Sequence, residues 1–423
     1  MMWKRKDWDP KTKRQVLTGC VGCALILGGF AGAWRLLPRQ EPIVIDETSV
    51  FTTETVPTEK DVSTAPFSVE AKGAVLIDAS TGEVLFQQDS HKELPLASVT
   101  KIMTMLLVME AVEEGKISLE DSVTISERAA SMGGSQMFME VGETHTVAQL
   151  MEGVAMASAN DGCVALSEFV AGSEEIFVER MNRRAEELGM RDTHFVNTNG
   201  LPVADHYSSA YDIALMSQAL YAHEETHKWF TTWQSTITVG LPGKETELGL
   251  TNTNKMIRAY EGCNGIKTGF TSDAGYCLSA SATRGETHLI AVALGCETSK
   301  IRNAQVAKML DYGFANFETA VIAEKGQILR QVLVERGTPD RVGAAAAEKI
   351  AVLVPKGQKD ILQTKITIDE TVPLPLEEGQ DIGQITVYNE EETLAEYPLV
   401  AAAPVEKATF RELISRAVHT VLN

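Results

Sequence analysis

A chain of 423 residues that is 44% hydrophobic is long enough for two or three domains with sizeable buried cores. Acidic residues outnumber basic ones 58 to 38, for a formal charge of −20. That argues against a nucleic-acid binder, which would show a basic face, and bears otherwise on solubility rather than fold.

The first 14 residues carry Lys4, Arg5, Lys6, Lys11, Lys13 and Arg14 against two Asp, and residues 16–34 then run 19 positions without a charge. As a helix this run spans about 28 Å, close to the thickness of a bilayer core. The basic flank predicts a cytoplasmic N-terminus and an exported remainder. Ala31-Gly32-Ala33 has the small-x-small form of a signal-peptidase site. Two outcomes therefore fit residues 1–40, a cleaved signal peptide or a retained anchor. Residues 41–66, rich in Thr, Glu and Val with Pro57 and Pro66, read as an extended linker.

Residues 73–89 (GAVLIDASTGEVLFQQD) read as two strands joined at Thr81-Gly82. The stretch from Pro95 to Gly115 (PLASVTKIMTMLLVMEAVEEG) reads as a buried helix, because only Thr104 and Glu110 interrupt the apolar residues from Ile102 to Val112. Ser98 and Lys101, three residues apart, share a helical face. Exposed N–H groups at a helix start favour negative charge, and a desolvated lysine can act as a base near neutrality. The pair is a candidate nucleophile with its own base, although a serine at a helix start is more often a simple cap.

Residues 118–142 are loop-rich, with Gly133-Gly134. Thr146 is placed to cap a helix over 147–157 and Asp161 one over 162–170, leaving Ser158-Ala159-Asn160 in the break between them. Those polar side chains either point into a cleft or serve as turn and cap residues. An amphipathic helix over 174–188 ends at Gly189. Another runs from Ser209 to about Leu220, with Asp212 as its capping-box partner. After strand-like residues 237–239, a strand over 265–270 carries Lys267-Thr268-Gly269. It presents an ammonium, a hydroxyl and a bare backbone in one row, where a side chain at Gly269 would obstruct a ligand lying along the strand edge. Strands over 275–283 and 288–295 and a helix over 301–317 close this part.

Past Thr319 the segments become short, strand-like and broken by Gly and Pro, the pattern of a separate all-β module without a catalytic cluster. In the last 17 residues Phe410, Leu413, Ile414, Ala417, Val418, Val421 and Leu422 form one helical stripe, fit for a membrane surface or for packing on the β module. Cys20 and Cys23 lie in the apolar run. Cys163, Cys263, Cys277 and Cys296 allow three full disulfide pairings or stand as free buried thiols. With no C-x-x-C beyond the apolar run and no clustered His, no metal site is expected.

SVTK at 98–101, SAN at 158–160 and KTG at 267–269 occur in the order, spacing and setting of the penicillin-recognising serine enzymes. The longer stretches PLASVTKIMT, SANDGCVALSE, GLPVADHYSSAYDIALMSQAL and GIKTGFTSDAGYCLSASATRGETHLIAVALG closely resemble the low-molecular-mass D-alanyl-D-alanine carboxypeptidases, over roughly residues 67–318. The resemblance implies an α+β fold of β-lactamase/transpeptidase type: an antiparallel sheet with helices on both faces and a helical subdomain, then a small all-β domain. It divides the chain into a signal or anchor (1–40), a linker (41–66), a catalytic domain (67–318), the β domain (319–404) and an amphipathic helix (405–423).

The activity so implied is that of a serine D,D-carboxypeptidase at the extracytoplasmic face of a bacterial membrane, needing no cofactor. It removes the terminal D-alanine from peptidoglycan pentapeptide stems through an acyl-enzyme on Ser98, and β-lactams acylate the same serine. By the resemblance Lys101 is the base, and Ser158 relays a proton to the departing D-alanine. Asn160 holds Lys101 and the substrate amide. Lys267 supplies positive potential and helps keep Lys101 neutral. Thr268 binds the terminal carboxylate with help from Arg302, beside Gly269, and the N–H groups of Ser98 and Phe270 form the oxyanion hole. Asn264 departs from the aspartate common before the third motif. A β-lactamase of the most similar type usually carries an E-x-x-L-N segment, which is missing between Ser158 and Lys267. A D,D-transpeptidase usually carries a large additional module, and the intact catalytic set argues against a non-catalytic β-lactam receptor or wall-binding scaffold.

Overall fold

The structure is a computed structural model and describes residues 67–369, 372–390, 392–414 and 416. The expected signal or anchor, the linker and most of the C-terminal stripe lie outside the described residues. The strands of the two larger sheets and the helices of twelve or more residues are numbered in chain order.

A five-stranded antiparallel sheet organises the larger part. The strands β1 (Gly73–Asp78) and β2 (Val84–Gln88) form the expected hairpin, turning through Gly82 at φ +75°. Later in the chain come β3 (Cys263–Thr271), β4 (Gly275–Arg284) and β5 (Thr287–Cys296), and the order across the sheet is β2-β1-β5-β4-β3. Both faces of the sheet are covered, which is why β5 reads as an almost continuous apolar run and β4 is buried from Cys277 to Ala282 although it carries Ser279 and Ser281. Ile290, Val292 and Leu294 face one core, shared with helix α1 (Lys101–Glu113). The alternate residues Leu289, Ala291 and Ala293 face a second core under helix α5 (Ser299–Asn316). Helices α2 (Asn160–Ala171), α3 (Glu174–Glu187) and α4 (Ala210–Tyr221) complete the layer around α1. Strand β3 is left at the sheet edge, and its motif faces the start of α1.

Several local expectations are corrected. Ser98 lies not in the α-helix but in a 3-10 turn, Ala97–Thr100, that leads into it. Thr146 forms a reciprocal capping box with Gln149, but the helix it caps ends at Glu152 and passes into a π turn, Gly153–Ala157. Asp161 caps nothing. Helix α2 starts at Asn160, and the Asp161 carboxylate accepts the Met137 N–H at 2.9 and 3.1 Å and the Gly162 N–H at 2.9 Å. Asp212 likewise accepts the Asp192 N–H and the Thr193 hydroxyl, although Ser209 does cap α4. In each case tertiary N–H and O–H donors outcompete the local cap, since bonds to a charged acceptor are stronger than neutral ones. The four described cysteines are free and buried.

From Phe317 the chain becomes all-β, as expected. Phe317–Ala323 pairs with Ile350–Pro355. A second five-stranded sheet runs β6-β7-β10-β9-β8, built from β6 (Ile328–Leu333), β7 (Arg341–Ala346), β8 (Leu362–Ile368), β9 (Asp381–Asn389) and β10 (Glu392–Ala401). Its core includes Val342, Val352, Val387 and Leu399. A buried bond from the Thr319 N–H to Thr287 Oγ1 (2.9 Å) and the exposed Lys349–Glu286 pair (2.6 Å) tie it to β5 and its hairpin. Residues 410–414 and 416 are helical, with Phe410 79% and Ile414 48% exposed. No helix among the described residues is long and apolar enough to cross a membrane.

Candidate active site

The 3-10 turn that carries Ser98 is clamped from three remote segments. Gly269 of β3 approaches so closely that a Cβ there would lie 2.9 Å from the Leu96 carbonyl oxygen and 3.1 Å from the Ser98 nitrogen. Its bareness thus serves contact with the turn, not clearance along the strand edge as expected. Gly200, at φ +83°, lies against the Ala97 carbonyl, which a Cβ would overlap at 1.8 Å. The third clamp is His206. Its Nδ1 accepts the Val196 N–H (3.0 Å), which assigns the ring proton to Nε2. Nε2 donates to Thr100 Oγ1 at 2.8 Å, and that hydroxyl donates to the Ala97 carbonyl at 2.9 Å.

Within this frame Lys101 Nζ lies 3.0 Å from Ser98 Oγ and 2.5 Å from the carbonyl oxygen of Asn199. The loop that delivers this carbonyl is folded by its own amides. Asn197 Oδ1 accepts the Gly200 N–H at 2.7 Å, and Asn199 Oδ1 accepts the Leu201 N–H at 3.0 Å. Lys101 is wholly buried and forms no salt bridge among the described residues. Burial pushes its ammonium from the ordinary 10.5 down to about 8, against weaker opposing influences that include the attraction of Asp161.

Lys267 is also buried and donates to the Thr268 carbonyl at 3.1 Å. Burial first, then repulsion from Lys101 and a smaller contribution from Arg302, lower it well below the lysine range. Two buried lysine side chains therefore lie close enough to interact. Burial is the leading cause for both, and the repulsion acts on Lys267, from Lys101, rather than on Lys101 as the motif alone suggested.

Ser158 closes the π turn in the left-handed region, at φ +63°, and its buried Oγ has no hydrogen-bond partner among the described residues. An orphaned buried hydroxyl costs about 1–3 kcal/mol, so its position calls for a reason beyond packing. Asn160 does not hold Lys101. Its Nδ2 donates to the Gly133 carbonyl (2.6 Å) and its N–H to the Ser135 carbonyl (2.8 Å), so it fastens the loop-rich segment as a wall of the cleft. The Asn199 carbonyl takes its place on the lysine. Thr268 Oγ1 bonds to Thr253 Oγ1 at 2.8 Å. Phe270 is 54% exposed and leans on Tyr276, with ring centroids 4.3 Å apart.

Arg302 is buried and turned to the Asn303 side chain (3.0 and 2.9 Å) and the Cys277 carbonyl (3.4 Å) rather than to Thr268. Asn264 bonds to Ser281 and Thr283 of β4, so the departure from aspartate is absorbed by cross-strand bonds. The structure thus gathers Ser98, Lys101 and Lys267 at one cleft and sets Arg302 behind it. Sequence reasoning missed Asn199, Thr253 and His206. The Asn199-Gly200 turn signal was available for the first, whereas single polar residues such as the other two carry none.

A family model described as D-alanyl-D-alanine carboxypeptidase matches residues 58–298, and one described as penicillin-binding protein 5, C-terminal domain, matches residues 317–407. The D-alanyl-D-alanine carboxypeptidase DacF of Bacillus subtilis is 42% identical over 356 residues, 84% of this chain and 91% of the relative. DacD of Escherichia coli is 31% identical over 395 residues, 91% of this chain and 98% of the relative. Penicillin binding protein 5 from Haemophilus influenzae superposes with a TM-score of 0.67 at 32% identity, covering 81% of this chain and 100% of that one. With a matching model that spans more than half of its length and such relatives along most of it, the chain belongs to the D-alanyl-D-alanine carboxypeptidase family.

Proposed function

We propose that the protein removes the terminal D-alanine from peptidoglycan stem peptides by a double displacement on Ser98. The observation that carries this reading is Lys101, buried with no salt bridge among the described residues and within hydrogen-bond reach of the Ser98 hydroxyl. Neutral Lys101 takes the Ser98 proton as Oγ attacks the carbonyl carbon of the penultimate D-alanine. The oxyanion is received by the N–H groups of Ser98 and Phe270, donors worth roughly 3 kcal/mol each in such sites. The peptide C–N bond then breaks. Ser158 Oγ passes the proton held by Lys101 to the departing nitrogen, and D-alanine leaves. Water, deprotonated by the same lysine, cleaves the ester and restores Ser98.

The substrate carboxylate belongs at Thr268, next to Lys267. An anion there favours the charged form of Lys267. Because the two lysines titrate as a coupled pair, the proton deficit then falls on Lys101, where the base is needed. Arg302 adds positive potential from behind β4, and Asn160 keeps the opposite wall in place. β-Lactams acylate Ser98 by the same route, with a leaving group that stays tethered.

Family membership supports action on cell-wall peptidoglycan, and with it a place outside the cytoplasm. In this reading residues 67–318 carry the chemistry, the β domain (319–404) is a spacer, and the helix over 405–423 rests on the membrane surface. The exposed Phe410 and Ile414 support that placement. Residues 1–40 export the chain, whether cleaved or kept.

Incubation with diacetyl-L-lysyl-D-alanyl-D-alanine should release D-alanine, and Ser98→Ala should abolish it. Benzylpenicillin should add one penicilloyl mass to the wild type only. An adduct without release would replace this reading with a transpeptidase or receptor. Rapid penicillin hydrolysis without a lasting adduct would favour a β-lactamase.

A further inference from the structure

One buried carboxylate takes no part in the steps above. Glu174 opens helix α3 and is 5% exposed. Its Oε1 accepts the Thr198 N–H at 3.2 Å and the Thr198 hydroxyl at 2.8 Å. Its Oε2 accepts Nε of Arg128 at 3.0 Å and Nη2 of the same guanidinium. Hydrogen bonds to a charged acceptor are the strong ones, so Thr198 is tied firmly to the start of α3.

Thr198 directly precedes Asn199, and the two residues meet one face of α1. The Thr198 carbonyl accepts the Thr104 hydroxyl and the Asn199 carbonyl accepts Lys101 Nζ, both at 2.5 Å. Lys101 and Thr104 are three residues apart and so share that face. Glu174 thus reaches the proposed base through one residue of backbone. A neutral amine has two N–H donors and one lone pair. With one N–H fixed on the Asn199 carbonyl, the lone pair can be aimed at the Ser98 hydroxyl, and the aim depends on where that carbonyl sits.

Arg128 carries the tie to the opposite wall of the cleft. It lies on the short helix Glu127–Ala130, is half exposed and also pairs with Glu175 at 3.0 Å. A few residues further on, the Gly133 and Ser135 carbonyls fasten Asn160. One carboxylate therefore joins the loop that bears the acceptor of Lys101 to the segment that forms the wall. Apolar packing could hold either loop in place. What the carboxylate adds is direction, since its two oxygens accept from two different segments.

Building on the reading of Lys101 as the base, we propose that Glu174, oriented by Arg128, is a positioning residue for acylation: it sets the Asn199 carbonyl and, through it, the aim of Lys101 at Ser98. It touches neither the substrate nor the reacting atoms.

The test follows benzylpenicillin acylation of the full chain by stopped flow and separates the limiting first-order rate from the Kd of the complex that precedes it. Glu174→Gln keeps the shape but turns an amide NH2 toward Arg128 or Thr198, donor against donor. Its limiting rate should fall about 10-fold, the cost of a displacement of about half an ångström, with Kd held within about twofold. Arg128→Met, which changes a half-exposed side chain, should cost about 3-fold, because the carboxylate keeps its bonds to Thr198, and Arg128→Lys should restore most of that loss. Adding Arg128→Met to Glu174→Gln should cost nothing further, since Arg128 acts through the carboxylate. A first-order rate is read per folded molecule, so yield does not enter, and Arg128→Met with its lysine rescue carries the test if Glu174→Gln does not fold. Limiting rates like the wild type's in the folded variants, a loss confined to Kd or Tm, or full additivity in the double variant would overturn the proposal while the carboxypeptidase stands. No acylation of the wild type would overturn the reading of the site and the proposal with it.

Discussion

Replacing Lys101 with methionine should abolish acylation and at the same time alter stability in a pH-dependent way. The folded protein holds the Lys101 ammonium at about 8, against 10.5 for an ordinary lysine. A displacement of two to three pH units, at about 1.4 kcal/mol each, costs the wild type roughly 3–4 kcal/mol below pH 8. Methionine fills similar space without a charge. Against that gain, the Asn199 carbonyl and Ser98 Oγ lose their donor, at about 1–3 kcal/mol whatever the pH. The two effects nearly offset at pH 7, so the pH dependence carries the test.

Between pH 8 and 10.5 the unfolded wild type binds more protons than the folded one, so wild-type stability rises with pH relative to the variant. From pH 7 to pH 10 the difference should move by roughly 2–3 kcal/mol in favour of the wild type. For a domain of this size that is roughly 5–8 °C in Tm. Paired scanning calorimetry of the two proteins from pH 7 to 10 measures it. A difference that stays flat with pH, or that moves the other way, refutes the claim that Lys101 is held as a destabilised ammonium.

Other perturbations probe the clamps and the thiols. Gly269→Ala should lower the rate of penicillin acylation about 100-fold, because its Cβ displaces the Ser98 backbone and misplacements of about 1 Å cost that much; stopped-flow acylation with near-native rates would contradict the close approach. His206 is held at about 4 against an ordinary 6.5. Stability therefore falls as pH drops through that window, by about 2 kcal/mol at pH 5, and His206→Gln should flatten this part of the pH–Tm curve; an unchanged slope would exonerate His206. Burial raises all four described thiols, to about 11 or 12. Iodoacetamide should leave Cys163, Cys263, Cys277 and Cys296 unmodified in the native protein and alkylate all four in guanidinium without reductant, and a need for reductant would reveal disulfides.

The parts of the fold that were legible in the sequence are those where burial imposes a period. The apolar faces of α1, β4 and β5, the hairpin at Gly82 and the break to an all-β module past Thr319 were all visible. The motifs located the cleft because their residue types are tied to helix start, helix junction and strand. What escaped was decided by groups far away along the chain. Asp161 and Asp212 have the local form of helix-start residues, yet remote donors claim them. Asn160 was expected on Lys101, but the Gly133 carbonyl takes its amide. Gly269 was read as clearance for a ligand, and only packing reveals that it admits the Ser98 turn.

The Asn199 carbonyl and the His206 ring reach the nucleophile turn across 98 and 106 residues of sequence, and Gly269 comes from farther still. Contacts of such long range form late in folding, after most of the loop-closure entropy has been spent. Reactivity at Ser98 is therefore a property of the finished domain and not of the tetrapeptide SVTK. A chain whose later segments have not yet been made carries an inert serine. A fluorescent β-lactam applied to cells would then count completed molecules, and its time course after a pulse of synthesis would act as a clock for maturation.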